Sequence, residues 1–333
     1  MTFNWPIVGH KKIVKFLQKT IEGGKTSQAY LFYGPENLGK KSVAKFFSQT
    51  LICEADVVDA RDEVNVKIPC GKCQNCQGFL KNIHPDVVWI RKEEDKKDIS
   101  IDQIRDLKEK ISLTGFTNGY KVIIIVNAEE MNNSAANSFL KMLEEPPKKS
   151  VIILLANNLK NIPETILSRC QLLKFSLVAK KEIVDYLKKE HKLSVEKADE
   201  IASLSLGHPG QAIKFLNDKK ILEDYLEKQK KLIKIIESSL SERLKIAEGL
   251  AKDEEIKKII TGWKNLIRDL ILLKTNNEKL LVNLTLRSQL KKITEKFSFE
   301  KIYQIEKELN NLNLYLNQNI NLRLALDNFV INL

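Results

Sequence analysis

No proline follows Pro209, and only Gly249 and Gly262 follow Gly210, in a chain of 333 residues. So few breakers exclude a turn-rich β fold in the last third, which reads as nearly all helix. The chain has no run of about 18 apolar residues, so no membrane span is indicated. Residues 1–6 (MTFNWP) lack a basic region followed by an apolar one. No secretory signal is read there, and a cytoplasmic protein with no membrane partner is expected. Histidine is scarce. His10, His84, His191 and His208 stand far apart, and no pair has the spacing of a metal site or a triad.

What is present fits a globular protein of two or three domains, with 43% hydrophobic and 29% charged residues. The net charge of +12 has two readings. One is a surface that meets nucleic-acid phosphates. The other is a composition bias, since Lys, Asn and Ile are abundant throughout. No long polybasic run concentrates the charge.

Nine of the 13 glycines lie before residue 120, which gives the first half the punctuation of alternating strands and helices. Residues 29–33 (AYLFY) form an apolar run that enters a glycine loop, and residues 42–51 continue as a helix. Residues 86–90 (DVVWI) read as a strand and residues 101–113 (IDQIRDLKEKISL) have helical spacing. Residues 121–126 (KVIIIV) and 151–156 (VIILLA) suit parallel strands buried on both faces. Between them, residues 134–145 read as a helix stopped by Pro146 and Pro147. The alternation predicts a doubly wound α/β sheet with a phosphate loop after its first strand. Residues 180–216 read as a small helical unit broken at Gly207-His208-Pro209-Gly210. From about Asp218 onward apolar residues such as Leu226, Leu232, Ile233, Ile236 and Leu240 recur at helical spacing. Asp98, Asp102 and Asp106 would lie on one solvated helical face.

Four of the five cysteines fall within residues 53–76. Cys70, Cys73 and Cys76 keep strict three-residue spacing, with Cys53 ahead of a long acidic insertion at residues 54–67. Four thiolates make a closed tetrahedral zinc site, structural because no position is left open. An iron–sulfur cluster is the other reading of four thiolates.

Residues 34–41 (GPENLGKK) have the outline of a phosphate loop. Gly34, Pro35, Gly39, Lys40, Lys41 and Ser42 are the candidate nucleotide contacts. The backbone amides would attract anions and Lys40 would reach the terminal phosphates. The Ser or Thr that holds Mg²⁺ in such loops is replaced by Lys41, and Ser42 is one residue late. A second cation at position 41 is placed to contact phosphate but cannot bind Mg²⁺. The strand at 121–126 should end in a metal-binding Asp and a water-polarising Glu in a working NTPase. Val126 and Asn127 stand there instead, with Glu129 and Glu130 on the following turn. ATP or ADP binding is therefore expected to be weak or absent.

The segments GPENLGKKSVA (34–44), PCGKCQNC (69–76), NSFLKMLEEPP (137–147) and ILSRCQ (166–171), in this order along the chain, resemble the bacterial DNA polymerase III clamp-loader subunits of the AAA+ class. IVGHKKIV (7–14) is similar to that family's segment beside the adenine pocket. The resemblance covers essentially the whole chain. It implies an AAA+ nucleotide-binding-type domain at 1–178 with a zinc module at about 53–80. A helical lid at 179–217 and an all-α collar at 218–333 would follow. It also implies a heteropentamer with motor (gamma/tau) and delta subunits, acting on a sliding clamp and primed DNA. Arg169, in Ser168-Arg169-Cys170, would serve in trans as an arginine finger for a motor subunit's ATP. Asn157 and Asn158 stand where the family places a sensor residue. Cys170 reads as a core thiol. Lys41, Val126 and Asn127, with Gln211 at the family's sensor-2 Arg position, point to the non-hydrolysing branch. Two other readings are an ATP-hydrolysing motor subunit and a zinc-dependent nucleic-acid-binding regulator, the latter resting only on the cysteines and the charge.

Overall fold

The computed structural model describes residues 2–54, 67–112, 119–318 and 320–333. Most of the acidic insertion, and the end of the helix expected to reach residue 113, lie outside them. The chain divides into two compact units, Met1–Glu182 and Ile183–Leu333.

The first unit opens with β1 (Thr2–Phe3), α1 (Lys11–Glu22), β2 (Ala29–Tyr33) and α2 (Lys40–Ile52). β3 (Lys67–Ile68), α3 (Gln74–Leu80), β4 (Val87–Ile90), α4 (Ile101–Ser112) and β5 (Lys121–Val126) follow. α5 (Asn133–Glu144), β6 (Ser150–Ala156), α6 (Glu164–Leu167) and β7 (Gln171–Lys174) complete it. The main sheet has the order β4-β5-β6-β2-β7, and every pairing in it is parallel. β1 and β3 form a separate parallel pair.

The two-residue period of a strand sorts the central side chains. Ile123, Ile125, Ile152 and Leu154 join one apolar cluster, with Leu107 of α4 and Phe139 of α5. Val122, Ile124, Ile153 and Leu155 join a second, with Leu17 of α1 and Phe47 of α2. Both faces are therefore covered, which is why these strands are continuous aliphatic runs. Full burial of each such side chain is worth roughly 1.5–3 kcal/mol over exposure.

Helix starts follow their caps. The Asn132 side chain accepts from Ala135 N at 2.8 Å, so α5 begins one residue before the sequence suggests. α4 begins after a reciprocal pair, with Ser100 N donating to Gln103 Oε1 at 3.1 Å and Gln103 N to Ser100 Oγ at 3.5 Å. Asp98 thus precedes the helix, which corrects the expected three-aspartate face. Asp102 pairs with Arg105 at 3.4 Å. The edge strand β7 carries no periodic signal, because of its four residues only Leu173 is buried.

The second unit contains no strand among its described residues. α7 (Lys180–His191) leads into it, followed by α8 (Val195–Leu204) and α9 (Pro209–Asn217). Next come α10 (Lys219–Glu237), α11 (Leu240–Leu250) and α12 (Ile256–Lys274). The last are α13 (Arg287–Lys296), α14 (Phe299–Asn317) and α15 (Leu322–Ile331). Pro209 opens α9 from the first turn, where its missing N–H costs nothing. The Asp218 side chain caps α10 by accepting from Lys220 N and Ile221 N. Of the residues read at helical spacing, Leu226, Leu232, Ile233 and Ile236 lie on α10, whereas Leu240 opens α11 and is exposed. A single apolar cluster runs from Leu232 to Leu333 around Trp263, whose Nε1 donates to Lys228 O at 3.0 Å.

A closed phosphate loop, an arginine edge and a cysteine cluster

The loop between β2 and α2 holds its own lysine. Gly34 has φ 141°, and a Cβ there would lie 2.2 Å from Phe175 O, so the close approach of two backbones requires glycine. Gly39 (φ 91°) opens α2. Lys40 is only 8% exposed. Its ammonium donates to Gly34 O, to Pro35 O at 2.7 Å and to Asn157 Oδ1 at 3.1 Å. Burial lowers its pKa to about 8, against the opposing charges of Glu129 and Glu36. All three donor positions of the ammonium thus have protein acceptors within reach.

Asn157 just past β6 is therefore part of the loop's lining, a larger role than its place in the sequence suggests. Its backbone N–H donates to Glu129 Oε1 at 2.9 Å, while Glu129 Oε2 is buried with no hydrogen-bond partner among the described residues. The sequence placed Glu129 on the turn after β5. That turn folds back through Asn127 in a left-handed conformation (φ 55°) and returns Glu129 toward Lys40. The signal for this was an Asn at a strand end, a residue that tolerates positive φ.

Val126 and Asn127 occupy the strand end where a metal-binding acid and a water-polarising acid would stand. The Asn127 amide donates to Glu130 Oε1 at 3.1 Å. Lys41 is exposed. Its ammonium lies 5.7 Å from the centre of the Trp89 ring, a cation–π contact at the edge strand β4. Ser42 is exposed. His10 packs on Phe175 with ring centres 4.6 Å apart, and its Nε2 lies 3.0 Å from Leu38 O. Burial lowers its pKa. Gln211 lies in the first turn of α9.

Arg169 follows α6 at an exposed edge. Its Nη1 donates to Thr165 O at 3.0 Å and its Nη2 to Glu144 Oε1 at 2.8 Å. Glu144 is the last residue of α5. Cys170 beside it packs against the cluster on that face of the sheet, and burial pushes its thiol up to about 12.

The Sγ atoms of Cys53, Cys70, Cys73 and Cys76 all lie within 4.8 Å of one another, so the four can bind a metal ion. Cys53 ends α2, and the other three surround the start of α3. Four backbone amides point at these sulfurs. Cys70 N donates to Cys53 Sγ at 3.4 Å, and Lys72 N and Cys73 N to Cys70 Sγ at 3.4 and 3.3 Å. Cys76 N donates to Cys73 Sγ at 3.4 Å. For Cys70, burial raises the thiol pKa but these amides outweigh it, and the thiol falls to about 7. For Cys76 burial dominates and raises it. Amides aimed at sulfur favour thiolate, the form a metal needs. A tetrahedral zinc tetrathiolate separates its sulfurs by about 3.8 Å, given Zn–S near 2.3 Å. Cys70 Sγ and Cys76 Sγ are 3.9 Å apart, so the donor set fits.

Among the described residues no helix is long and apolar enough to cross a membrane. The chain is 29% identical over 330 residues to the DNA polymerase III subunit tau of Bacillus subtilis, covering 91% of this chain and 56% of that protein. It is 27% identical over 226 residues to the subunit delta' of the same organism, covering 68% of this chain and 64% of that one. It thus spans less than two thirds of either relative. A gamma subunit-related protein from Thermotoga maritima is a solved neighbour. It has TM-score 0.40 and 20% identity, over 96% of this chain and 97% of that one. Residues 9–179, just over half the chain, match the model of the DNA polymerase III delta subunit, and the chain belongs to that family.

Proposed function

We propose that the chain is a delta-prime-type, non-hydrolysing subunit of the bacterial DNA polymerase III clamp loader. In that reading it helps load a sliding clamp onto primed DNA in the cytoplasm. It assembles with motor (gamma/tau) and delta subunits in a heteropentamer. The parallel sheet unit takes the part of the AAA+ domain, with Arg169 as its arginine finger in trans. The cysteine cluster takes the part of a structural zinc module.

One observation carries the non-hydrolysing reading. Lys40 is engaged by the carbonyls of its own loop, while Val126 and Asn127 stand where hydrolysis needs two acids. Hydrolysis requires a positioned metal and an oriented water. Lys41, resting over Trp89, supplies neither. The purified chain should therefore show no ATP turnover above background in a steady-state phosphate-release assay. Lys40→Ala in the assembled complex should leave turnover unchanged. Turnover by the isolated chain that disappears with Lys40→Ala would overturn the reading.

The alternative is a motor subunit. Two observations favour it, the match to tau over 91% of the chain and the Glu129 carboxylate beside Lys40. The same assay decides between the two.

Residues 179–217 serve as a helical lid and 218–333 as the collar that joins the subunits. The apolar cluster beginning at Leu232 supports a collar with its own core. A chain ending near Leu216 should keep a folded sheet unit yet fail to co-purify with its partners. Normal assembly of that shortened chain would remove the collar assignment.

A further inference from the structure

We propose that Glu144 is a positioning residue for Arg169, holding the guanidinium in the orientation that a neighbouring subunit's terminal phosphate meets. This rests on the arginine-finger reading above and adds to it the residue through which the finger is fixed.

An exposed arginine samples many rotamers, and each must be abandoned before it can serve a reaction. Arg169 is 38% exposed at its side chain, yet two of its nitrogens have acceptors. Thr165 O takes Nη1 at 3.0 Å and Glu144 Oε1 takes Nη2 at 2.8 Å. Two acceptors on two different nitrogens fix the plane of a rigid fork, which a single contact cannot do. The guanidinium has five N–H donors, so others remain for a phosphate.

The acceptors have firm bases. Thr165 belongs to α6, where Ile166 is fully buried. Glu144 ends α5, which is seated on the sheet through Ala135, Ala136, Phe139 and Met142. The position of the guanidinium is thus tied to the sheet itself. The pair spans 25 residues of chain and joins the LEEPP and SRC segments in one contact.

In the neighbour's reaction, water adds to the terminal phosphorus as its bond to the ADP oxygen breaks, giving ADP, phosphate and a proton. Charge on the departing and equatorial oxygens is what a preset guanidinium stabilises. Positioning acts on the transition state, so its loss lowers kcat and leaves KM for ATP unchanged. An opposite effect is also available to a carboxylate here. It could mask the guanidinium charge, and its removal would then raise turnover.

The test uses the reconstituted complex, with assembly checked by gel filtration and three variants compared. Arg169→Ala first establishes whether the finger operates. Glu144→Ala should lower kcat about fivefold at unchanged KM, the scale on which an exposed ion pair biases side-chain conformers. Glu144→Gln keeps an oxygen that accepts from Nη2 and should restore most of the rate. If Arg169→Ala is impaired and Glu144→Ala is not, the positioning role is overturned and the finger stands. A Glu144→Gln complex as slow as Glu144→Ala, or either variant faster than wild type, also overturns it. If Arg169→Ala itself retains full activity, the finger reading fails and the positioning role goes with it.

Discussion

Arg169→Ala in the reconstituted complex should slow ATP turnover at the motor site it faces by about a thousandfold, at the low end of the range for arginine fingers. The low end is expected because the side chain is solvated before assembly, with 38% of its surface exposed. A finger works by bringing a cation to phosphate oxygens as charge develops on them, in a site that closes on assembly. Ala removes the cation and both of its tethers together. The fold should not suffer, because an exposed pair such as Arg169–Glu144 contributes at most about 1 kcal/mol to stability. Arg169→Lys is the sharper probe. It keeps the charge but loses the planar fork that can hold Thr165 O and Glu144 while still reaching phosphate. It should therefore be nearly as slow as Ala. Phosphate release in single-turnover mixing, with co-purification as the control for assembly, measures the effect. Undiminished turnover in an intact Arg169→Ala complex would falsify the finger assignment.

The parts of the molecule legible from sequence are those whose signal is local. The aliphatic runs at 121–126 and 151–156 suit strands buried on both faces, and they are the centre of the sheet. Pro146 and Pro147 mark the end of α5 because neither can continue it. The glycines around residues 34–39 announced the loop. β7 stayed hidden because it is short and mostly exposed, and β1 and β3 because two residues carry no period.

The site shows the same division more sharply. Arg169, Lys40 and the four cysteines could be named from their motifs, but not what holds them. Lys40 meets Asn157 across 117 residues, Asn157 meets Glu129 across 28, and Arg169 meets Glu144 across 25. Such contacts are set by strand order and by the turns at strand ends, which residue spacing does not encode. Lys41 illustrates the point. On the loop motif alone it was a second phosphate contact, whereas the fold brings β4 alongside and gives it Trp89.

Cys73→Ser should abolish stoichiometric zinc binding while leaving the main sheet folded. The substitution separates two roles of one side chain. Cys73 is one of four sulfurs gathered within 4.8 Å, and it also caps α3 by accepting from Cys76 N at 3.4 Å. Serine is among the best helix N-caps, so α3 keeps its cap and the metal site alone loses a donor. A zinc tetrathiolate reduced to three sulfurs and a hydroxyl should weaken by more than the roughly 100-fold that loss of a supporting hydrogen bond costs. In small zinc domains metal binding supplies the folding energy outright, at about 10–16 kcal/mol. Here the damage should stay local, because the sheet has two apolar clusters of its own. The cysteine segment meets them through Phe79 and through the Asn75 Nδ2 bond to Ile52 O at 2.9 Å. Metal analysis of reduced protein should give one zinc per wild-type chain and none in the variant. Thermal unfolding should show the loss of an early, chelator-sensitive step with the main transition kept. Iron and sulfide in place of zinc would assign a cluster instead. Full zinc retention by Cys73→Ser would mean that the ion sits elsewhere, and a main transition lost together with the metal would mean that the sheet depends on this module for its folding.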